Sequence, residues 1–209
     1  MKNAKCKICR RAGVKLFLKG DKCLSPKCPM IKKAYPPGLR KRKSRSVFSE
    51  YAKELKEKQK LRNWYGLREK QFQKYVKEIL AKRGKVENAG TLLIRTLESR
   101  LDNVVFQLGF AISRLQARQL ISHRHFLVND KVVNISSFLV KKEDKIKIRP
   151  TSAKKPVFQS LIQTLKKSKP PAWLELNIEK LEGKVLDKPT LEIINPPVEI
   201  SSIFEYYSK

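Results

Sequence analysis

Acidic side chains are scarce in this sequence, and histidine is nearly absent. Against 48 Lys and Arg stand 19 Asp and Glu and two histidines in 209 residues, a formal net charge of +29. Solubility needs far less, so a polyanion is the expected partner and nucleic acid the first candidate. No Gly-rich phosphate loop, paired-carboxylate motif or Ser–His arrangement is present, so catalysis finds no support and no small-molecule substrate is expected. The chain has no apolar run of about 18 residues, and Met1-Lys-Asn-Ala-Lys-Cys6 lacks the apolar core of a secretory signal. A soluble protein of a reducing compartment, with no membrane partner, is the expectation.

Cysteine is equally sparse, and all four thiols lie within the first 28 residues, as Cys6-x2-Cys9-x13-Cys23-x4-Cys28. Two close pairs separated by a loop long enough to fold back place four thiolates around one tetrahedral ion, and the clustering favours ligation over a scattered disulfide framework. Zinc is the favoured occupant, and an iron–sulfur cluster is the alternative that soft thiolates also accept. Either would be structural, since the pattern suggests no open coordination position.

What is present in quantity is basic charge, and it is uneven. Residues 1–70 hold 23 Lys and Arg against 5 Asp and Glu, whereas residues 171–209 hold 4 against 7. The polyanion therefore faces the first part of the chain. A hydrophobic content of 41% is enough for one or two real cores. No internal repeat is apparent.

Residues 31–46 read as a loop, with Pro36-Pro37-Gly38 ahead of the basic run Arg40-Lys-Arg-Lys-Ser-Arg45. From Ser49 the spacing predicts a helix with Tyr51, Leu55 and Leu61 inward, with Lys53, Lys56, Lys58 and Lys60 outward, and an end near Gly66. Phe72, Tyr75, Val76, Ile79 and Leu80 form the core stripe of a second helix, stopped by Gly84. Residues 85–90 are a Gly-containing link and the expected domain boundary, after which Thr91 leads into a long helix.

Residues 98–149 look like a complete small RNA-binding module. Leu97, Leu101, Val104, Val105 and Leu108 recur at helical spacing and Gly109 stops the run. Ser113, with Gln116 three residues on, has the form of a capping box. It opens a helix with Arg114 and Arg118 on one side and Ala117, Leu120 and Ile121 on the other. After His123-Arg-His125 the pattern changes to period two, with Asn129-Asp130 as a hairpin turn that needs positive φ. Past the module, Val157, Leu161, Ile162 and Leu165 predict a helix, Trp173–Ile178 a strand, and residues 179–197 turns. His123 and His125 could in principle ligate a metal, but no carboxylate or cysteine accompanies them, so contact with RNA phosphate is the better reading.

Arg100-Leu-Asp-Asn-Val-Val-Phe-Gln-Leu-Gly-Phe-Ala111, Ser113-Arg-Leu-Gln-Ala-Arg-Gln-Leu-Ile-Ser-His123 and Val128-Asn-Asp-Lys-Val-Val-Asn134 resemble the bacterial-type small-subunit ribosomal protein S-four family. The resemblance extends to Ser49-Glu-Tyr-Ala52 and Leu55-Lys-Glu-Lys-Gln-Lys-Leu-Arg62, and to the form of the family that opens with a four-cysteine site, here Cys6, Cys9, Cys23 and Cys28. It implies an α+β fold. A mainly helical first domain, residues 1–90 plus about 197–209, would carry the metal knuckle at 1–30. The second domain, 91–196, would be an insertion containing a module of two helices and a small antiparallel sheet.

The resemblance further implies a structural constituent of the small ribosomal subunit, not an enzyme, located in the cytoplasm or, alternatively, in an organellar ribosome. Such a protein binds small-subunit rRNA at the 5′-domain junction, nucleates assembly, and adjoins ribosomal proteins S-five and S-three beside the mRNA entry channel. Arg114, Arg118, His123, Arg124 and Lys131 are the expected rRNA contacts, held at fixed spacing to read the backbone of structured RNA. Arg40, Arg42 and Arg45 are the expected basic loop at the mRNA entrance. The family's usual glycine is replaced by Asp130 in the hairpin, and its Pro-Gly-x-His pattern by Pro-Gly-Leu-Arg. A zinc-knuckle regulator that binds other structured RNA or DNA is the alternative.

Overall fold

The computed structural model describes residues 4–38, 49–82, 88–158, 165 and 170–208. The backbone divides into two compact units, Met1–Gly90 with Pro196–Lys209, and Thr91–Asn195. Arg40, Arg42, Arg45 and Gly84 lie outside the described residues, as does most of the helix expected over 157–165, of which 157, 158 and 165 are helical.

In the first unit, α1 (Ala4–Ala12), α2 (Asp21–Leu24) and α3 (Pro29–Lys32) carry the cysteines, followed by α4 (Glu50–Trp64) and α5 (Glu69–Leu80). Ser49 starts α4 by accepting the Ala52 N–H at 3.3 Å. At its other end Gly66, at φ 64°, donates to the Asn63 carbonyl while Leu67 donates to that of Arg62. These are the two bonds of a Schellman stop. The stripe on α5 is buried at Phe72, Val76 and Ile79 as its spacing requires.

Leu61 of α4 is buried as the spacing predicts, but Tyr51 and Lys58 are not where it places them. Tyr51 is 55% exposed, whereas Glu54 and Lys58 are buried. The cause is the last helix, α11 (Ile200–Ser208), which packs on α4 and α5. Lys58 Nζ lies 2.7 Å from Glu69 Oε1 and 4.4 Å from the centroid of the Tyr206 ring, so its charge is neutralised where it is buried.

The second unit contains α6 (Ala89–Glu98), α7 (Leu101–Gln107), α8 (Arg114–Ser122), β1 (Phe126–Val128), β2 (Lys131–Val133) and β3 (Lys145–Ile148). It continues with α9 (Pro150–Ala153), β4 (Leu174–Asn177), β5 (Glu182–Val185) and α10 (Leu191–Ile194). The strands form one antiparallel sheet in the order β2-β1-β3-β5-β4. The small sheet of the module is thus extended by two strands, β5 coming from a region expected to be turns. The core includes Val104 and Val105 of α7 and Leu108 at its C-cap, Ala117 and Ile121 of α8, and Phe126, Ile146 and Val185 of the sheet.

The long helix expected through Thr91–Leu108 is two helices. Arg100 is extended (φ −71°, ψ 137°) and bridges Leu139, while Leu101 and Asp102 donate their N–H groups to the Phe138 and Ser136 carbonyls. The loop after β2 thus satisfies donors that a continuous helix would have used. After α7 the chain stops as the sequence indicates: Gly109 is at φ 84°, and Gly109 and Phe110 donate to the Phe106 and Val105 carbonyls in a second Schellman motif.

Candidate nucleic-acid interface

The corner between α7 and α8 is fixed by buried charge. Asp102, at the start of α7, accepts from Arg100 at Oδ1 (Nε, 3.1 Å) and Oδ2 (Nη2, 2.8 Å). Arg118 of α8 donates to Oδ2 as well, from Nε at 3.0 Å and Nη2 at 2.6 Å. A second link runs from Arg114 Nε to Asn103 Oδ1 at 2.7 Å, and Asn103 Nδ2 in turn donates to Glu98. Arg114 is buried, with its guanidinium carbon 4.7 Å from the Phe106 ring centroid. Of two arginines that look like one basic face, Arg114 is thus buried and Arg118 partly buried, and both tie α8 to α7.

The Ser113 cap forms, with its hydroxyl accepting the Gln116 N–H at 3.3 Å. Gln116 reaches one residue further back than a capping box does, accepting from the Ile112 N–H at 2.8 Å.

The end of α8 points its charge outward. Arg124 stands at φ 59°, with its N–H bonded to the Ile121 carbonyl and that of His125 to the Leu120 carbonyl. This is the Schellman geometry again, with arginine where glycine is usual. His123 and Arg124 are exposed. His125 is buried, its Nδ1 2.8 Å from Ser152 Oγ. Burial, followed by the cations Lys155, His123 and Arg149, lowers its pKa below the ordinary histidine range.

Beyond it, Asn129 (φ 48°) and Asp130 (φ 64°) form the two-residue turn between Val128 and Lys131, both left-handed as a type I′ hairpin requires. Asn129 is tied down by Asp144, whose Oδ1 accepts from its Nδ2 at 2.8 Å, and by the Lys145 N–H, which donates to its Oδ1 at 3.0 Å. Lys131 is exposed at the edge strand. The exposed side chains of His123, Arg124 and Lys131 therefore sit at two tight backbone reversals. Arg118 adds a partly exposed side chain already committed to Asp102.

In the first unit Cys6, Cys9, Cys23 and Cys28 are buried and line one small cavity of about 10 Å³, of the order of one water-sized sphere. The Lys19 N–H approaches Cys23 Sγ at 3.4 Å. Burial pushes the Cys9 thiol up and the other three cysteines push the same way, while the backbone at Leu16 favours its thiolate. Among the described residues no three Cys, His, Asp or Glu side chains are gathered as a metal-holding group. Nor does any described helix have the length and apolarity to cross a membrane.

The model for the ribosomal protein S4/S9 N-terminal domain matches residues 1–98, and that for the S4 domain matches residues 99–146. The small ribosomal subunit protein uS4A of Bdellovibrio bacteriovorus is 50% identical over 204 residues, 98% of this chain and 96% of that protein. This chain belongs to the uS4 family. Other members at the same coverage include the uS4 proteins of Caldicellulosiruptor saccharolyticus, 47% identical, and Thermus thermophilus, 43% identical.

In this uS4 chain the S4-domain match ends within β3, so β4 and β5 complete the sheet from outside it. Composition could not separate Arg114 and Arg118, which brace the corner, from Arg124 and Lys131, which face solvent. The one signal that could have was Asp102-Asn103 in the first turn of α7, polar residues ahead of the apolar run Val104-Val-Phe106.

Proposed function

We propose that this chain is a structural constituent of the small ribosomal subunit, binding small-subunit rRNA at the 5′-domain junction and nucleating assembly there. The observation that carries the reading is 43–50% identity, over 96% of their length, to proteins named small ribosomal subunit protein uS4. The physical chemistry is consistent: a net charge of +29 matches a polyphosphate partner, and a corner locked by buried ion pairs holds exposed cations at fixed spacing. His123, Arg124 and Lys131 are the contacts proposed from the second unit, with Arg114 and Arg118 positioning them. In the same reading Arg40, Arg42 and Arg45 face mRNA at its entry, and ribosomal proteins S-five and S-three are neighbours.

Zinc held by Cys6, Cys9, Cys23 and Cys28 completes the proposal, with an iron–sulfur cluster as the alternative. The donor set suits it: four thiols buried around one cavity, with a backbone N–H directed at Cys23 Sγ. The ion would cross-link α1 to the segment carrying α2 and α3.

Binding of the purified protein to a 5′-domain junction fragment and to a scrambled-junction RNA of equal length, across a salt series, tests the rRNA reading. A preference of about tenfold or more that persists at raised salt is expected. Equal affinities, lost together as salt rises, would sink it. Native mass spectrometry decides the metal: a mass increment of one zinc, removed by a chelator together with helix signal, is expected. An iron–sulfur increment would select the alternative, and a metal-free mass with four free thiols would reject both.

A further inference from the structure

Three residues of the segment joining α1 to α2 are left-handed: Gly13 at φ 76°, Phe17 at φ 50° and Gly20 at φ 57°. Two of them are glycine, which adopts this conformation without steric penalty. The third is a bulky aromatic residue, for which positive φ is an outlier that persists only where the surroundings hold it. A glycine at position 17 would make the same turn, so the turn alone does not account for the phenylalanine.

Burial does not account for it either. Phe17 is 42% exposed, and its neighbour Leu16, at 1%, is the residue of this loop that enters the core. Among the described residues 5–38, the buried ones are Leu16 and the four cysteines. What Phe17 does adjoin is the thiol cavity, whose apolar wall it forms with Leu18, Pro29 and Met30. The thiols are 5–9% exposed, screened but not sealed, and the cavity of about 10 Å³ admits about one water-sized sphere. A reagent larger than water therefore reaches sulfur only when part of the wall moves. Pro29 is fixed as the first residue of α3, and Leu18 and Met30 are partly buried. Phe17, exposed and on a loop, is the wall element able to swing. The Lys19 N–H, two residues on, bonds Cys23 Sγ at 3.4 Å and ties the turn to the site.

We propose that Phe17 is the shutter of the thiol site: its ring stands between the four sulfurs and solvent and governs how fast a metal ion exchanges there. A side chain that raises the barrier without touching the ion slows entry and exit alike, so the rate depends on it and the affinity does not. The strain at Phe17 then has a reason, since a glycine would keep the turn but leave the cavity open. Leu24 supplies an internal contrast. It follows Cys23 directly and is 74% exposed, yet it lies outside the cavity wall. The inference rests on the metal reading above and deepens it by naming the residue that controls exchange at that site.

The test uses the full chain as purified, with native mass spectrometry recording its metal content, and the variants F17G, F17A, F17Y and L24A. Release of zinc into excess EDTA runs about fivefold to tenfold faster in F17G and F17A, whereas F17Y and L24A stay within about twofold of the parent. Zinc affinity, measured by chelator competition, moves by less than about threefold in all of them. Modification of the thiols by iodoacetamide follows the same order, because thiol reactivity depends on access. F17A keeps the left-handed strain and F17G relieves it, so equal acceleration assigns the effect to the ring, and acceleration in F17A alone overturns the proposal. An affinity loss as large as the rate gain also overturns it, since Phe17 would then hold the site together instead of screening it. So does an L24A rate that matches F17G. Where circular dichroism shows helix lost in a Phe17 variant, F17L, which keeps an apolar side chain, takes its place with an intermediate rate expected. If the parent carries no metal, the metal reading falls while the shutter is still judged by the alkylation rates.

Discussion

Arg118 holds Asp102 through two N–H groups on one oxygen, from α8 across to the first turn of α7. Arg100 occupies the rest of that carboxylate, and the Asp102 side chain is 3% exposed. One carboxylate is therefore shared by two guanidinium groups, and it links α8 to the first turn of α7. Asp102→Asn keeps the shape but leaves the buried Arg100 and the partly buried Arg118 without their anion. Losing one partner of a buried pair destabilises by about 3–5 kcal/mol, and urea unfolding should show a loss in that range. Arg118→Lys retains the charge but cannot fork, so a smaller loss of about 1 kcal/mol is expected. If Asp102→Asn unfolded within about 1 kcal/mol of the parent, a loss no larger than that of an ordinary hydrogen bond, the corner would be held by apolar packing alone.

Arg124 combines strain with exposure. A non-glycine residue at positive φ costs of the order of 1–2 kcal/mol relative to glycine, and this one closes α8 in a motif that glycine usually occupies. Arg124→Gly is therefore expected to raise unfolding stability by about 1 kcal/mol while weakening RNA binding and lowering the salt slope by about one. Opposite signs for folding and binding would identify a residue kept for its charge. Arg124→Lys, which retains the strain, should leave stability unchanged.

Backbone punctuation is what the chain carries most openly. Gly66 and Gly109 end their helices at left-handed φ, and Asn129-Asp130 turns the hairpin, because each is a local requirement that few residues meet. Long-range requirements are less visible. Lys58 is buried because the rings of Tyr206 and Tyr207, far downstream, return over it, and the helix broken at Ser99-Arg100 yields its donors to a loop near residue 138. The strand β5 hides because Glu182-Gly-Lys-Val185 has little β-propensity, and it is recruited by pairing with β3 and β4. The interface follows the same division: which residues are basic is local information, but whether an arginine meets RNA or Asp102 depends on where α7 and α8 cross.

Acid should loosen the two units at different pH. His125 has a depressed folded pKa, so its contribution is present above the unfolded value of about 6.5 and is lost as pH falls through the folded value. For Glu69, burial works against ionisation, but hydrogen bonds from Lys58, Tyr207 and Arg62 outweigh it and lower its pKa. Its contribution is lost only as pH falls below the unfolded value of about 4.3. Trp173 lies in the core of the second unit and Trp64 at the end of α4. Single-tryptophan variants should therefore show the second unit weakening first, as pH falls below about 6.5, and the first unit only below about pH 4.3. His125→Gln should flatten the first of these steps, and Glu69→Gln the second.

Gly183 is the point at which β5 touches α7. A Cβ built there would stand 2.3 Å from Leu108 Cδ1 and 2.7 Å from Cδ2, and Leu108 is fully buried, at 0% exposure. Leu108 closes the last turn of α7, ahead of the Gly109 stop, so it has little freedom to swing away. Gly183→Ala should therefore destabilise by about 1–3 kcal/mol through overpacking, without adding backbone strain. The double variant Gly183→Ala, Leu108→Ala removes the clashing methyls and should recover part of that loss. The double-mutant cycle is then non-additive by about 1 kcal/mol or more. Additivity would place the two residues out of contact and move the packing of α7 away from β5.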